Sequence, residues 1–284
     1  MPFTTLIGAS ELSRHLDHPD WALIDCRFSL DDTERGLRDY MSSHIPGAVY
    51  AHLDKDLSGE KIAGKTGRHP LPDIQTFAAT LSAWGIDGHT QVVVYDDASG
   101  ATAARLWWML NWLGHRNVAL LDGGWASWLR SGLPVLAGPE NRPARRFEPR
   151  EVPGAGVGAE QVETCRKDSG HLVLDARSAP RYRGDVEPID AVAGHIPGAV
   201  SAPFEENLAA DGTFLSPDVL RERFERLMKS IPTENVICYC GSGVTAAHNI
   251  IAIAYAGLGM SRLYPGSWSE WITDAARPVA TGAD

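Results

Sequence analysis

Hydrophobic and polar positions along this chain follow two alternating rhythms. The runs at residues 22–24, 92–95, 118–121, 172–174, 236–239 and 262–264 are short, almost wholly apolar and bounded by turn-forming residues. That is the pattern of strands buried on both faces. Between them the period becomes helical. In SPDVLRERFERLM, Ser216 stands as N-cap and Pro217 at the first helical position, while Leu220, Phe224, Leu227 and Met228 fall on one face. Phe77, Leu81 and Trp84 share a face in the same way. Strands alternating with helices predict an α/β fold with mostly parallel sheet flanked by helices.

The pattern occurs twice. WALIDCR at 21–27 is echoed by HLVLDAR at 171–177, and HIPGAVYAHLD at 44–54 by HIPGAVSAPFE at 195–205. VVVYDDASGATAA at 92–104 matches VICYCGSGVTAA at 236–247, and DGGWASWLRSGLPV at 122–135 matches PGSWSEWITDAARPV at 265–279. Four matches in one order describe a tandem duplication. Residues 139–159, rich in Pro, Gly and charge, read as a linker between an N-terminal domain at 1–138 and a C-terminal domain at 160–284. The matches lie about 150 residues apart up to HIPGA and 143 beyond it, so the first half carries extra residues within 54–72. His44 and His195, and the tryptophans Trp125, Trp128, Trp268 and Trp271, recur in both halves and read as structural.

Composition narrows the partners. A formal net charge of −10 disfavours nucleic acid and anionic membrane surfaces, which reward basic patches. No apolar run reaches the ~18 residues of a membrane span, and the N-terminal sequence has no secretory pattern. The four cysteines, Cys26, Cys165, Cys238 and Cys240, form neither a disulfide framework nor a zinc spacing. A cytoplasmic protein with free thiols is expected.

One thiol stands apart. In VICYCGSGVTAAHNIIAIAYAGLG, residues 236–259, an apolar strand meets an alanine-rich helix at Cys240. Parallel sheets bind ligands beyond the carboxyl ends of their strands. Gly241, Ser242, Gly243, Val244 and Thr245 are small enough for their N–H groups to turn inward around sulfur, and a helix from about Ala246 adds its positive end. This setting favours thiolate over thiol and can hold a second anionic sulfur beside it. Cys238, inside the apolar run, reads as packing, as do Cys26 and Cys165.

HIPGA in both halves, the paired tryptophan motifs and CGSGVTA together resemble the rhodanese superfamily, specifically its two-domain sulfurtransferases, over essentially the whole chain. CGSGVTA is similar to the loop of the 3-mercaptopyruvate sulfurtransferases; thiosulfate enzymes of the vertebrate type carry basic residues after the cysteine. The resemblance implies two rhodanese-like domains of which only the C-terminal one is reactive. Aligned through Gly100/Gly243 and Thr102/Thr245, the N-terminal counterpart of Cys240 is Asp97. It further implies that Cys240 takes sulfur from 3-mercaptopyruvate as a persulfide and hands it to a thiol or cyanide. Gly241, Gly243, Val244 and Thr245 would cradle that sulfur. Arg181 in DARSAPRYRG matches a substrate-binding arginine, with Arg183 as a further candidate. Ser242, His69 in GRHPLP and Asp54 in YAHLD match a hydroxyl–imidazole–carboxylate relay.

One position departs from the pattern. Where animal and enterobacterial mercaptopyruvate enzymes have a second arginine, this chain has Asp190, which keeps thiosulfate open as the alternative donor and points to Arg183 or Arg68 for the missing cation. A cysteine phosphatase would need an arginine at the position of Ala246, and against a non-catalytic sulfur-carrier or interaction module, an inactive double domain is expected to have lost its cysteine in both halves, as the N-terminal half has. No metal or organic cofactor is implied. The expected partners are a small-molecule sulfur donor and an acceptor such as thioredoxin or a small thiol, and the chain is expected to act as a monomer.

Overall fold

The computed structural model describes residues 2–283. The chain folds into two compact units, each with its own parallel sheet and core.

The first unit has five strands, β1 (Leu6–Ile7), β2 (Trp21–Asp25), β3 (Ala48–Tyr50), β4 (Gln91–Tyr95) and β5 (Val118–Leu121), in the order β1-β5-β4-β2-β3. All their pairings are parallel. Helices α1 (Ala9–Leu12), α2 (Arg35–Ser42), α3 (Ile74–Ala83), α4 (Ala103–Trp112) and α5 (Gly124–Arg130) connect them. The second unit repeats the plan with β6 (Leu172–Asp175), β7 (Val200–Ser201), β8 (Val236–Tyr239) and β9 (Arg262–Leu263) in the order β7-β6-β8-β9. Its helices are α6 (Ala159–Cys165), α7 (Ala179–Arg183), α8 (Pro217–Met228), α9 (Ala246–Tyr255) and α10 (Ser267–Trp271). A bridge between Gly156 and Leu263 stands where β1 pairs in the first unit.

Every residue of β4 and β8 is buried, as the unbroken apolar runs require of central strands. The helices that follow them, α4 throughout and α9 from Ala246 to Ile253, are buried as well, so they present apolar residues on all sides. In α8, Pro217 opens the helix and Leu220, Phe224 and Met228 face the core, with Leu227 half-buried.

The recurring motifs are structural in both units. Asp25 and Asp175, at the ends of β2 and β6, grip Arg27 and Arg177, whose Nη2 atoms reach the Ser43 and Gly194 carbonyls at 2.6 and 2.7 Å. Each guanidinium lies over a tryptophan, Trp125 at 4.7 Å and Trp268 at 4.9 Å. His44 and His195 bond the Tyr40 and Tyr182 carbonyls at 2.7 and 2.8 Å and stack on those same rings.

The units cut across the boundaries expected from the sequence. The first comprises Met1–Gly59, Leu71–Val152 and Ala210–Phe214; the second comprises Glu60–Pro70, Pro153–Ala209 and Leu215–Asp284. The supposed linker divides at 152/153 because its first part is pinned by backbone bonds, Arg145 to Ser82, Arg150 to Leu113 and Val152 to Trp112. Residues 60–70, within the insertion of the first half, pack with the second unit. Arg68 N–H donates to Ser269 Oγ at 3.0 Å, and Gly67 lies so close to the Gly266 carbonyl that a Cβ would come within 2.5 Å of its oxygen.

Candidate active site

The site grows from the end of β8. Cys240 is 2% exposed and is braced by the turn into α10. Its N–H donates to Ser267 Oγ at 3.1 Å, its carbonyl accepts from Trp268 N–H at 3.0 Å, and the Gly241 carbonyl accepts from Ser269 N–H at 2.9 Å. The loop turns at Gly243, where φ is +72° and a Cβ would lie 2.2 Å from the Pro265 carbonyl oxygen, so glycine alone fits. Helix α9 starts at Ala246, immediately behind the loop, and brings its positive end. Among the described residues, the N–H groups of Gly241, Ser242, Val244 and Thr245 make no hydrogen bond within the protein. They are donors without an acceptor.

The first unit shows what such a loop accepts. At the end of β4 the Asp96 carboxyl takes N–H bonds from Ala98 at 2.9 Å and from Gly100, Thr102 and Ala103 at 2.8 Å. Two donors on each oxygen, with no proton given in return, is the bonding of a carboxylate. Burial, the foremost effect, raises the pKa of this carboxyl, and the four N–H groups work against that rise.

Asp96, and not Asp97, is therefore the counterpart of Cys240. Its carbonyl accepts from Trp125 N–H at 2.8 Å, as that of Cys240 does from Trp268. The first loop is one residue longer, so counting back from the helix lands on Asp97, which instead pairs with Arg35 at 2.8 Å.

Around the loop, His69 Nδ1 and Ser242 Oγ lie 2.8 Å apart, both residues buried, joining two predicted residues 173 positions apart. Arg181 donates to Glu187 through Nε and Nη2, at 3.2 and 2.7 Å, and to Asp190 Oδ2 at 3.1 Å. Both of its terminal nitrogens would lie 3.6 Å from a Cβ on Gly241. Arg68 pairs with the other oxygen of Asp190. Asp175, Arg177, Glu187, Arg181, Asp190 and Arg68 thus form a ladder of alternating charge from the end of β6 to the cysteine loop.

One expectation parts from this geometry. Arg183 pairs with Asp185 at 2.8 Å and is half exposed; two residues apart on α7, it points away from the side that Arg181 occupies. Asp54 is half-buried, and its N–H donates to His52 Nδ1 at 3.1 Å. Burial pushes the Cys238 thiol up to about 12 and Cys26 well above its ordinary value, which keeps both inert.

Two contributors escaped the sequence reading. Ser267 holds φ at +54° where the first unit has Gly124 at +53°, and its hydroxyl also donates to the Tyr264 carbonyl at 2.9 Å. A serine where the repeat has a positive-φ glycine was the available signal. Glu187 had none, because it lies in a loop outside any helix or strand, where no period shows which way a side chain turns.

The chain is similar to known proteins along its whole length. Residues 8–131 and 159–274 each match the rhodanese-like domain. A Pseudomonas aeruginosa protein named as a probable 3-mercaptopyruvate sulfurtransferase is 49% identical, over 99% of this chain and 100% of its own. A Mycobacterium tuberculosis protein bearing the name "Putative thiosulfate sulfurtransferase SseB" is 40% identical, over 98% of this chain and 97% of its own. The solved 3-mercaptopyruvate sulfurtransferase of Leishmania major superposes with a TM-score of 0.85 at 32% identity, covering 97% of this chain and 75% of that one. In the described residues no helix is long and apolar enough to cross a membrane, and no cluster of side chains is suited to hold a metal ion. Two matched domains and relatives similar from end to end place the chain in the rhodanese family, as a member built from two rhodanese-like domains.

Proposed function

We propose that this chain is a 3-mercaptopyruvate sulfurtransferase working through a persulfide on Cys240. The observation that carries the reading is a buried thiol among unused N–H donors, with a guanidinium beside the loop and a hydroxyl–imidazole pair within it. The Cys240 thiolate attacks the sulfur of the donor. The carbon–sulfur bond breaks, its electron pair passes to the departing enolate of pyruvate, and the sulfur stays on Cys240. The proton of the donor thiol passes by way of Ser242 and His69 to the enolate, giving pyruvate and leaving Cys240–S–S⁻. A thiolate or cyanide then attacks the outer sulfur and regenerates the Cys240 thiolate. The N–H groups of residues 241–245 stabilise thiolate and persulfide alike, which electrostatic preorganisation does without further cost. Arg181 holds the donor carboxylate.

A second reading, thiosulfate as donor, is favoured by Asp190 where the resemblance leads one to expect a cation, and by the name of the mycobacterial relative. Steady-state kinetics with both donors and cyanide as common acceptor decide between them. Mercaptopyruvate is expected to give the higher kcat/KM; a strong thiosulfate preference overturns the choice of donor. Mass spectrometry after donor treatment is expected to find one added sulfur on Cys240, and none in Cys240→Ser.

A further inference from the structure

We infer that Ile62 and Ile189 set the choice of sulfur acceptor, and that the cavity they line is the subsite for the carbon body of a short aliphatic thiol; this rests on the sulfur-transfer reading above. The cavity measures about 290 Å³ and belongs wholly to the second unit. Two of its lining residues lie against the cysteine loop. Ser269 N–H donates to the Gly241 carbonyl at 2.9 Å, and Arg68 Nη2 would stand 2.7 Å from a Cβ on Gly241. Much of the remaining wall is aliphatic, with Ile62 and Ala63 from one segment and Ile189 and Ala191 from another.

Both isoleucines are held in place by their backbones. The N–H groups of Lys65 and Thr66 donate to the Ile62 carbonyl at 3.0 Å, and Ile62 N–H donates to Thr66 Oγ1 at 3.0 Å. Ile189 N–H donates to Glu187 Oε1 at 3.1 Å. Even so, Ile62 is 47% exposed and Ile189 45%. One exposed apolar residue is ordinary, but two from distant segments lining one cavity beside a reactive loop form a surface suited to carbon. The volume decides the size of the ligand. It stands at the lower edge of small-molecule sites, which span roughly 300–1,000 Å³, and so fits a short thiol better than a peptide. Lys61 and Arg68 in the same wall favour the thiolate, the form that reacts. That thiolate attacks the outer sulfur of Cys240–S–S⁻. A new sulfur–sulfur bond forms, the bond to Cys240 breaks, and its electron pair restores the Cys240 thiolate while the acceptor leaves as RS–S⁻. Cyanide has no carbon body and needs no such wall.

The test is ping-pong kinetics with 3-mercaptopyruvate as donor and either dithiothreitol or cyanide as acceptor. It compares wild type with the Ile62→Asn/Ile189→Asn and Ile62→Leu/Ile189→Leu double variants. The asparagine pair is expected to raise KM for dithiothreitol about tenfold, the worth of about two buried methylene groups, with kcat within about threefold. The leucine pair keeps that KM within about threefold of wild type. KM for cyanide and KM for the donor stay within about twofold throughout, whereas damage to the loop would move all three. The inference is overturned if the asparagine pair leaves KM for dithiothreitol within about twofold of wild type, or raises KM for cyanide in parallel. It is equally overturned if that pair impairs transfer to reduced thioredoxin but not to dithiothreitol, which would make the cavity a protein contact. Failure of the wild type to release pyruvate from mercaptopyruvate sinks the donor assignment instead. Nuclear magnetic resonance titration of Cys240→Ser with dithiothreitol then decides the subsite without turnover: binding about tenfold weaker when the asparagine pair is added supports it, and equal or absent binding overturns it.

Discussion

At the scale of the residue, four positions shape the surroundings of Cys240. Gly243 combines a positive φ with a contact that leaves no room for a Cβ. Gly243→Ala is expected to cost about 2 kcal/mol or more of stability and most of the activity, read by denaturant unfolding and by pyruvate release. Ser267 holds the Cys240 N–H while adopting a backbone that serine disfavours. Ser267→Ala keeps the strain and removes the bond, for a loss of about 1–3 kcal/mol in the same unfolding measurement. Ser242 and His69 separate the two donors by chemistry, because pyruvate enolate needs a proton whereas sulfite departs without one. Ser242→Ala and His69→Asn should therefore lower kcat with mercaptopyruvate by about 10²-fold or more and leave thiosulfate turnover within a few-fold. Equal losses with both donors would remove the proton-transfer role.

At the scale of the element, the two strand-to-helix loops make one physical object with different contents. The loop after β4 closes on the Asp96 carboxylate, so the first unit meets the demand of its N–H donors internally. In the loop after β8 the N–H groups of Gly241, Ser242, Val244 and Thr245 make no such bond among the described residues. Asp96→Ala strands four N–H groups and is expected to destabilise the protein by about 3 kcal/mol or more in chemical unfolding. The charge ladder that starts at β6 gives a pH signature. Burial pushes the Glu187 carboxyl up, but Arg181 and the N–H groups of Asp190 and Ile189 outweigh it and leave the pKa below its ordinary value. A lowered carboxylate adds stability above its unfolded pKa and loses it as pH falls through the folded one. The urea midpoint should therefore drop as pH falls below about 4, and Glu187→Gln should flatten that drop. A slope unaltered by the substitution would show that the ladder contributes nothing there.

At the scale of the whole molecule, the duplication is plain in the sequence, but the compact units are not the two halves. Residues 60–70 join the second unit and carry Arg68 and His69 to Cys240, while residues 210–214 join the first, with Phe214 N–H on Asp122 at 2.8 Å and the Asp211 carbonyl on Arg130 at 3.1 Å. Replacing residues 60–70 by a short Gly/Ser linker is expected to abolish mercaptopyruvate turnover with little change in far-UV circular dichroism, since no helix or strand lies there. The sequence by itself determined the α/β plan, the repeat, the cysteine loop and its glycines, because period, small-residue spacing and strand-to-helix junctions are local properties of the chain. It also marked Arg181, His69 and Ser242 through the residues around them. Only the tertiary structure decided that Asp96 and not Asp97 answers to Cys240, that Arg183 turns away, that Ser267 braces the thiol, and that Asp190 draws Arg68 toward the loop. The first two depend on which way a side chain turns within its own loop or helix, and the last two on a hydrogen bond and an ion pair between residues 27 and 122 positions apart; one chain read along its length carries no record of either.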